Sequence, residues 1–295
     1  MVHATREGNR GVGVALVVAI AALSFAAIFF RLAQPTHPLV GAGIRLAIAA
    51  VLLSPFVVRA FRAGRLRPRS VGLAGAAGCF YAVHFGAWVT SLTLTSVAAS
   101  VTIVTATPLI LAVWALAMGR DRPTPRLWVS LSLALVGLVI IGLHDLGLSG
   151  DHLLGDALAL LGAVAMAGYL LMGRRLEGGL DVAAFSGIAT LVGAVLLLGA
   201  AAAMGVELAA SSTSALGFLL LAALVPQLVG HNLLTWALAH TTPTRVGIAT
   251  LGEPVGAALI AWIWLGEQPG KLVALGCAVT VLGVLVALWN PQRGA

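Results

Sequence analysis

Long apolar runs separated by short polar clusters dominate this chain, and the runs recur at bilayer length. About 20 consecutive apolar residues cross the hydrocarbon core as a helix. By that ruler ten segments qualify, near 12–30, 38–58, 71–94, 98–118, 127–144, 155–172, 183–204, 216–240, 246–265 and 273–289. They are numbered here as spans one to ten. Only the turn-like "TLTSV" divides spans three and four. The alternating short segments of a membrane β-barrel are missing, so helices are the expected spanning form. Span one is too long for a signal peptide and lacks a convincing small-x-small cleavage site, so it is expected to be retained.

Composition sharpens this picture. Of 295 residues, 60% are hydrophobic and only 9% are charged. The mean hydropathy is +1.05. A soluble domain carries about 25% charged residues, so most of the chain belongs in lipid. Cys79 and Cys277 both fall inside apolar runs, where they read as small packing residues with no disulfide or metal motif.

The net charge of +7 would suggest nucleic acid in a soluble protein. Here no nucleic-acid motif accompanies it, and the arginines cluster between spans. With the N-terminus inside, fourteen of the seventeen basic residues lie on the cytoplasmic side, led by Arg59, Arg62, Arg65, Arg67 and Arg69. Only Arg31 and Lys271 lie outside, and Arg45 lies within span two. The positive-inside rule then places both termini in the cytoplasm and the chain in the cytoplasmic membrane.

Shifting the chain by 146 residues brings its two halves into register. Pro108 falls on Pro254, Asp121 on Glu267, Gly137 on Gly283, and Thr95 on Thr241. Each half then holds five spans, and two odd-numbered repeats in one chain must face opposite ways across the membrane. The expected fold is an all-α polytopic membrane protein of ten helices in two inverted five-helix repeats. The repeats run 12–146 and 147–290, between cytoplasmic tails at 1–11 and 291–295.

"TPLILAVWALAMGRDRP" and "LVGLVIIG" in the first half, with "LGEPVGAALIAWIWLGEQPG" and "VLGVLVAL" in the second, resemble the EamA-type branch of the drug/metabolite transporter superfamily. The resemblance covers nearly the whole chain. It implies ten helices as five plus five, transport of small metabolites, and commonly export. Thr107 before Pro108, and Asp121 where that family usually has Glu, depart from its pattern in the first half. Any role for the span-nine carboxylate therefore belongs to one half.

Glu253 lies about 10 Å into span nine. A charge at helix centre costs roughly 2.5–3.5 kcal/mol on insertion scales. Such residues face the bundle interior and mark a pathway or relay. Three roles stand open for Glu253: locking the bundle by pairing with Arg45 or bonding backbone, carrying a proton, or touching substrate. Arg45, itself costly in span two, has the matching alternatives of an internal pair or an anchor for an anionic group. Pro108 and Pro254 free the carbonyls of Val104 and Thr250 and predict kinks in spans four and nine. Gly252 and Gly256 predict close helix packing.

Tyr81, His84 and Trp88 share one face of span three. Gln227, His231 and Thr235 share a face of span eight, with Asn232 and Trp236 on the adjoining stripe. These two faces are the expected lining of a cavity bounded by spans one, three, four, six, eight and nine. Asp121 and Glu267 read as turn or cap residues before the following helices. His84 and His231 have no third ligand at metal spacing, so no metal is expected, and no cofactor motif is present. The expected partners are a small-molecule substrate and the bilayer. The expected function is secondary or facilitative transport of amino acids or amphipathic compounds by alternating access. A lipid or lipid-carrier flippase is the alternative. An intramembrane enzyme is the weaker rival, because no clustered acid, base or metal constellation supports it.

Overall fold

The computed structural model describes residues 2–118, 124–145, 150–175, 181–241, 246, 249–250, 252–268 and 270–288. Asp121, Arg120, Arg122, Arg245 and Arg293 lie outside the described residues. Among those described, regular structure is helical and no strand occurs. The α-helices are α1 (Val2–Leu23), α2 (Ala26–Leu32), α3 (Pro38–Arg62), α4 (Pro68–Ser91), α5 (Val97–Val104), α6 (Thr107–Ala117), α7 (Pro125–Asp145), α8 (Gly150–Arg174), α9 (Val182–Ala203), α10 (Thr213–Ala222), α11 (Asn232–His240), α12 (Glu253–Ile260) and α13 (Lys271–Leu288). Two π-helical segments, Ala223–His231 and Ala261–Leu265, continue α10 and α12.

Among the described residues, six helical segments are long and apolar enough to cross a membrane: Gly11–Leu32, Pro38–Arg62, Pro68–Ser91, Gly150–Arg174, Val182–Ala203 and Thr213–Leu238. Shorter apolar helical stretches occupy Val97–Leu111, Trp128–Gly137, Glu253–Leu265 and Lys271–Gly283. All of these fall on segments expected from the hydropathy pattern. Apolar side chains also cover the outside. Val51, Phe61 and Ile263 are 70%, 71% and 82% exposed, which suits a surface bathed by acyl chains.

Local chemistry sets the helix ends. Pro38, Pro68 and Pro125 open α3, α4 and α7, where the missing N–H has no intrahelical partner to lose. Ser96, Asp181 and Ser212 accept hydrogen bonds from the amides of Ala99, Ala184 and Ala215 and so cap α5, α9 and α10. Gly266 ends the second π segment with φ of 72°, a left-handed turn that side chains avoid.

Packing follows paired helices. α3 and α9 run antiparallel, with Gly43 against Leu198 at one end and Gly187 against Val57 at the other. α7 and α13 do the same. Gly137 meets Gly276 and Thr280, while Gly283 meets Ser130 and Leu133. The Ser130 hydroxyl donates to the Gly283 carbonyl at 2.8 Å, and Arg126 Nε donates to the Val286 carbonyl at 2.6 Å. The two glycines related by the 146-residue shift therefore sit on opposite sides of one close helix crossing. α4 packs along α8, with Gly162 against Trp88 and Gly168 against Phe80. Its counterpart under the shift is the contact of α1 with the π segment of span eight, where Gly230 meets Ala19 and Leu23. Gly256 meets Ser24, so the small face of span nine packs on span one as its glycine spacing predicts.

Candidate functional site

Among the described residues, four spans lose regular α-helical geometry around one point in the bundle. Span one breaks at Ser24–Phe25, between α1 and α2. Span four breaks at Thr105–Ala106, just before Pro108, and span nine has a turn at Gly252, just before Pro254. Span eight is π-helical over Ala223–His231, with Pro226 inside. Proline removes a backbone donor, and in span four a hydroxyl answers part of that loss. Thr107 Oγ1 donates to the Val104 carbonyl at 3.2 Å and approaches the Ala163 carbonyl at 3.3 Å. The Ser24 hydroxyl donates to the Ile20 carbonyl at 2.9 Å and lies 3.5 Å from the Glu253 carbonyl.

A small cavity lies among these breaks. Its wall includes Leu23, Ala26, His84, Trp88, Thr105, Thr107, Met166, Leu170, His231, Leu234, Thr250 and Glu253. These residues come from the six spans named from sequence. The volume is about 40 Å³, space for a few waters. A metabolite pocket is typically about 300 Å³ or more, so this conformation is collapsed at the centre.

The polar wall is specific. His84 Nδ1 donates to the Gly162 carbonyl at 2.9 Å, since a carbonyl can only accept. His231 stands edge-on to Tyr81, Phe85 and His84 at 5.8, 5.5 and 6.4 Å between centroids. Glu253 is only 9% exposed, and among the described residues no hydrogen bond or ion pair meets its carboxylate. A buried carboxylate with no partner is costly while ionised; a proton or a bound cationic group would relieve that cost.

Arg45 sits beside this cavity, off its wall. It is fully buried. One Nη donates to Gln227 Oε1 at 2.9 Å, and the guanidinium lies over Phe85 at 4.3 Å and Phe30 at 5.5 Å. Its Nε and other Nη lack partners, as do Gln227 Nε2 and Trp88 Nε1. An Arg45–Glu253 pair is one of the alternatives open from sequence; among the described residues no direct ion pair joins them, and the Arg45 guanidinium bonds Gln227 and faces the two rings.

The remaining predicted residues separate. Tyr81 is buried behind the wall, stacked on Tyr169 at 3.9 Å. Trp236 stacks on His240 at 4.1 Å, and Asn232 keeps an unpartnered Oδ1; neither reaches this cavity. A π-helical turn explains the split. Its i→i+5 hydrogen bonds widen the turn, so Gln227 and His231 no longer superpose as an α-helical face would place them. Glu267 differs too. It reaches across to the start of α5, accepting from the Val97 amide at 3.4 Å, and pairs with Arg31 at 3.5 Å rather than capping α13.

The family model for the EamA-like transporter family matches residues 10–143 and again 153–289. The chain belongs to the EamA-like transporter family. This family is part of the drug/metabolite transporter superfamily. The chain is 24% identical over 174 residues to the uncharacterized transporter YwfM of Bacillus subtilis (strain 168). That alignment covers 59% of this chain and spans 58% of the relative's length. A crystal structure of another protein superposes on 96% of this chain and 98% of its own with a TM-score of 0.72, at 18% identity, which speaks to the fold. As an EamA-family member with several long apolar helices, the protein is a multi-pass membrane protein.

In this EamA chain several wall residues escaped sequence reasoning. Leu23, Met166, Leu170 and Leu234 are ordinary apolar residues in apolar helices, and nothing local sets them apart. Tyr169 left a faint signal. The chain has only two tyrosines, and they stack on each other in the core, with Tyr169 Oη 3.0 Å from the Thr235 hydroxyl.

Proposed function

We propose that this protein moves small metabolites across the cytoplasmic membrane by alternating access, as a secondary or facilitative transporter working chiefly in export. The carrying observation is the cavity walled by His84, Trp88, His231 and Glu253 where spans one, four, eight and nine lose regular helix. Broken helices around a mid-bundle site are the usual build of secondary transporters.

The chain is read as ten crossings in two inverted five-helix repeats, with both termini cytoplasmic. The doubled family match supports this, as do the antiparallel pairings of α3 with α9 and of α7 with α13. The five exposed arginines of 59–69 support the orientation. The breaks at Thr105–Ala106 and Gly252 correspond under the 146-residue shift, which suits rocking of one repeat against the other. Aromatic walls with a polar rim suit amino acids or other amphipathic compounds. The Glu253 carboxylate, which no hydrogen bond or ion pair meets among the described residues, suits a proton or cationic-substrate role, and the unmet donors of Arg45, Gln227 and Trp88 suit acceptor groups on a substrate.

Purified protein in liposomes, supplied with a metabolite panel with and without a pH gradient, tests the reading. Saturable flux of at least one compound is expected, reduced by Trp88→Ala. Absence of flux for every compound, with labelled lipid scrambled instead, would favour the flippase.

A further inference from the structure

A second cavity of about 430 Å³ opens at the end of the bundle away from the arginine-rich 59–69 loop. Its position is fixed by the end of α2, the start of α5, the start of α8 and the segment after the second π turn. At one wall stand Arg31, Ser96, His152 and Glu267, over an apolar floor that includes Ala98 and Ala258. We infer that this vestibule is a separate docking site for a small zwitterion of the α-amino-acid type, with Arg31 taking the carboxylate and Glu267 the ammonium.

The two charges are poorly used in their present arrangement. Arg31 Nη2 donates to the Thr95 carbonyl at 2.8 Å and reaches Glu267 Oε1 by a single contact at 3.5 Å. Arg31 Nε has no partner, and His152 Nδ1 is likewise buried and unpartnered. Among the described residues, the far oxygen of Glu267 accepts the long bond from the Val97 amide at 3.4 Å. Both side chains remain accessible, at 22% and 34% exposure. A part-exposed, single-contact pair of this kind contributes little by itself and is readily exchanged for a better partner.

Charge selects the ligand class. A simple anion would meet Arg31 but be repelled by Glu267, and a simple cation would meet the reverse. An apolar molecule would strip water from both charges and return nothing. A molecule carrying ammonium and carboxylate on one carbon answers both at the spacing in which they already stand. The volume suits a small metabolite. The apolar floor leaves room for an aliphatic or aromatic side chain.

The inference rests on and deepens the transport reading, because it names the groups an exported substrate would present at the outer mouth as it leaves. It is tested by binding alone. The full chain in lipid nanodiscs is titrated calorimetrically with L-alanine, L-leucine and L-phenylalanine, then with leucine methyl ester and N-acetyl-leucine. At least one unmodified amino acid should bind saturably, and each blocked form should bind about tenfold more weakly. R31Q and E267Q should each weaken binding by about the same factor. The double variant R31Q/E267Q keeps an amide pair that can hydrogen-bond across the mouth, so its loss of binding reports charge rather than collapse. Should any variant fail to fold, the blocked ligands on the unaltered protein decide alone. The inference is overturned if no amino acid binds at about 100 mM. Equal binding of the blocked forms, or undiminished binding in folded R31Q and E267Q, overturns it too. Flux without vestibule binding would leave the transport reading standing, and vestibule binding without any flux would do the reverse.

Discussion

Thr107 and Glu253 occupy the same place in the two halves, each just before a proline and each on the wall of the central cavity. Their chemistry differs. The Thr107 hydroxyl is consumed locally, tied to the Val104 and Ala163 carbonyls. The Glu253 carboxylate has no such partner among the described residues, although its helix starts at an equivalent break. One half of the pair repairs the backbone. The other carries a group whose protonation and charge remain available to something that enters the cavity. Equivalent positions in the two halves thus differ in how far their side chains are already engaged, and the proposed function assigns the unengaged one to the transported species.

The strongest challenge to this contrast is Glu253→Gln. It should abolish the response of liposome flux to a pH gradient while the protein stays folded, as read by helical content and elution on a sizing column. If gradient-driven flux is unchanged, the carboxylate is structural and the two positions are alike. Thr107→Glu comes next. A second carboxylate in so small a space should lower the melting temperature clearly, and stability equal to the parent would mean the wall is far wetter than its volume suggests.

The prolines sharpen the comparison. Pro108→Ala and Pro254→Ala restore a backbone donor in each half, and both should slow flux several-fold with little change in apparent affinity. A large effect in one half alone would show that only one break moves. Thr107→Val is the mildest. Losing its hydroxyl should cost about 1 kcal/mol of stability and leave the pH response intact.

Much of this was legible along the chain because it depends on local rules. Lipid demands apolar length, so the apolar helical segments could be placed along the chain. Prolines at 108 and 254 mark breaks whatever surrounds them. The glycines at 137 and 283 stand out as a pair under the shift, and both lie at the α7–α13 crossing. The wall contributions of His84, Trp88, His231 and Glu253 followed from polar residues placed where lipid forbids them.

Other features rest on contacts between distant parts of the chain. Arg45 and Glu253 are natural partners by charge, yet packing places Gln227 and two aromatic rings around the guanidinium. The π segment turns Gln227 and His231 to different neighbours, and a 3.6-residue period cannot register that change. Arg31, Thr95 and Glu267 meet only because three helix ends converge at one mouth. Sequence alone determined which residues had to leave the lipid, since transfer free energy acts on each residue separately. The tertiary structure decided which of them met, since pairing energy depends on the geometry between segments up to 236 positions apart.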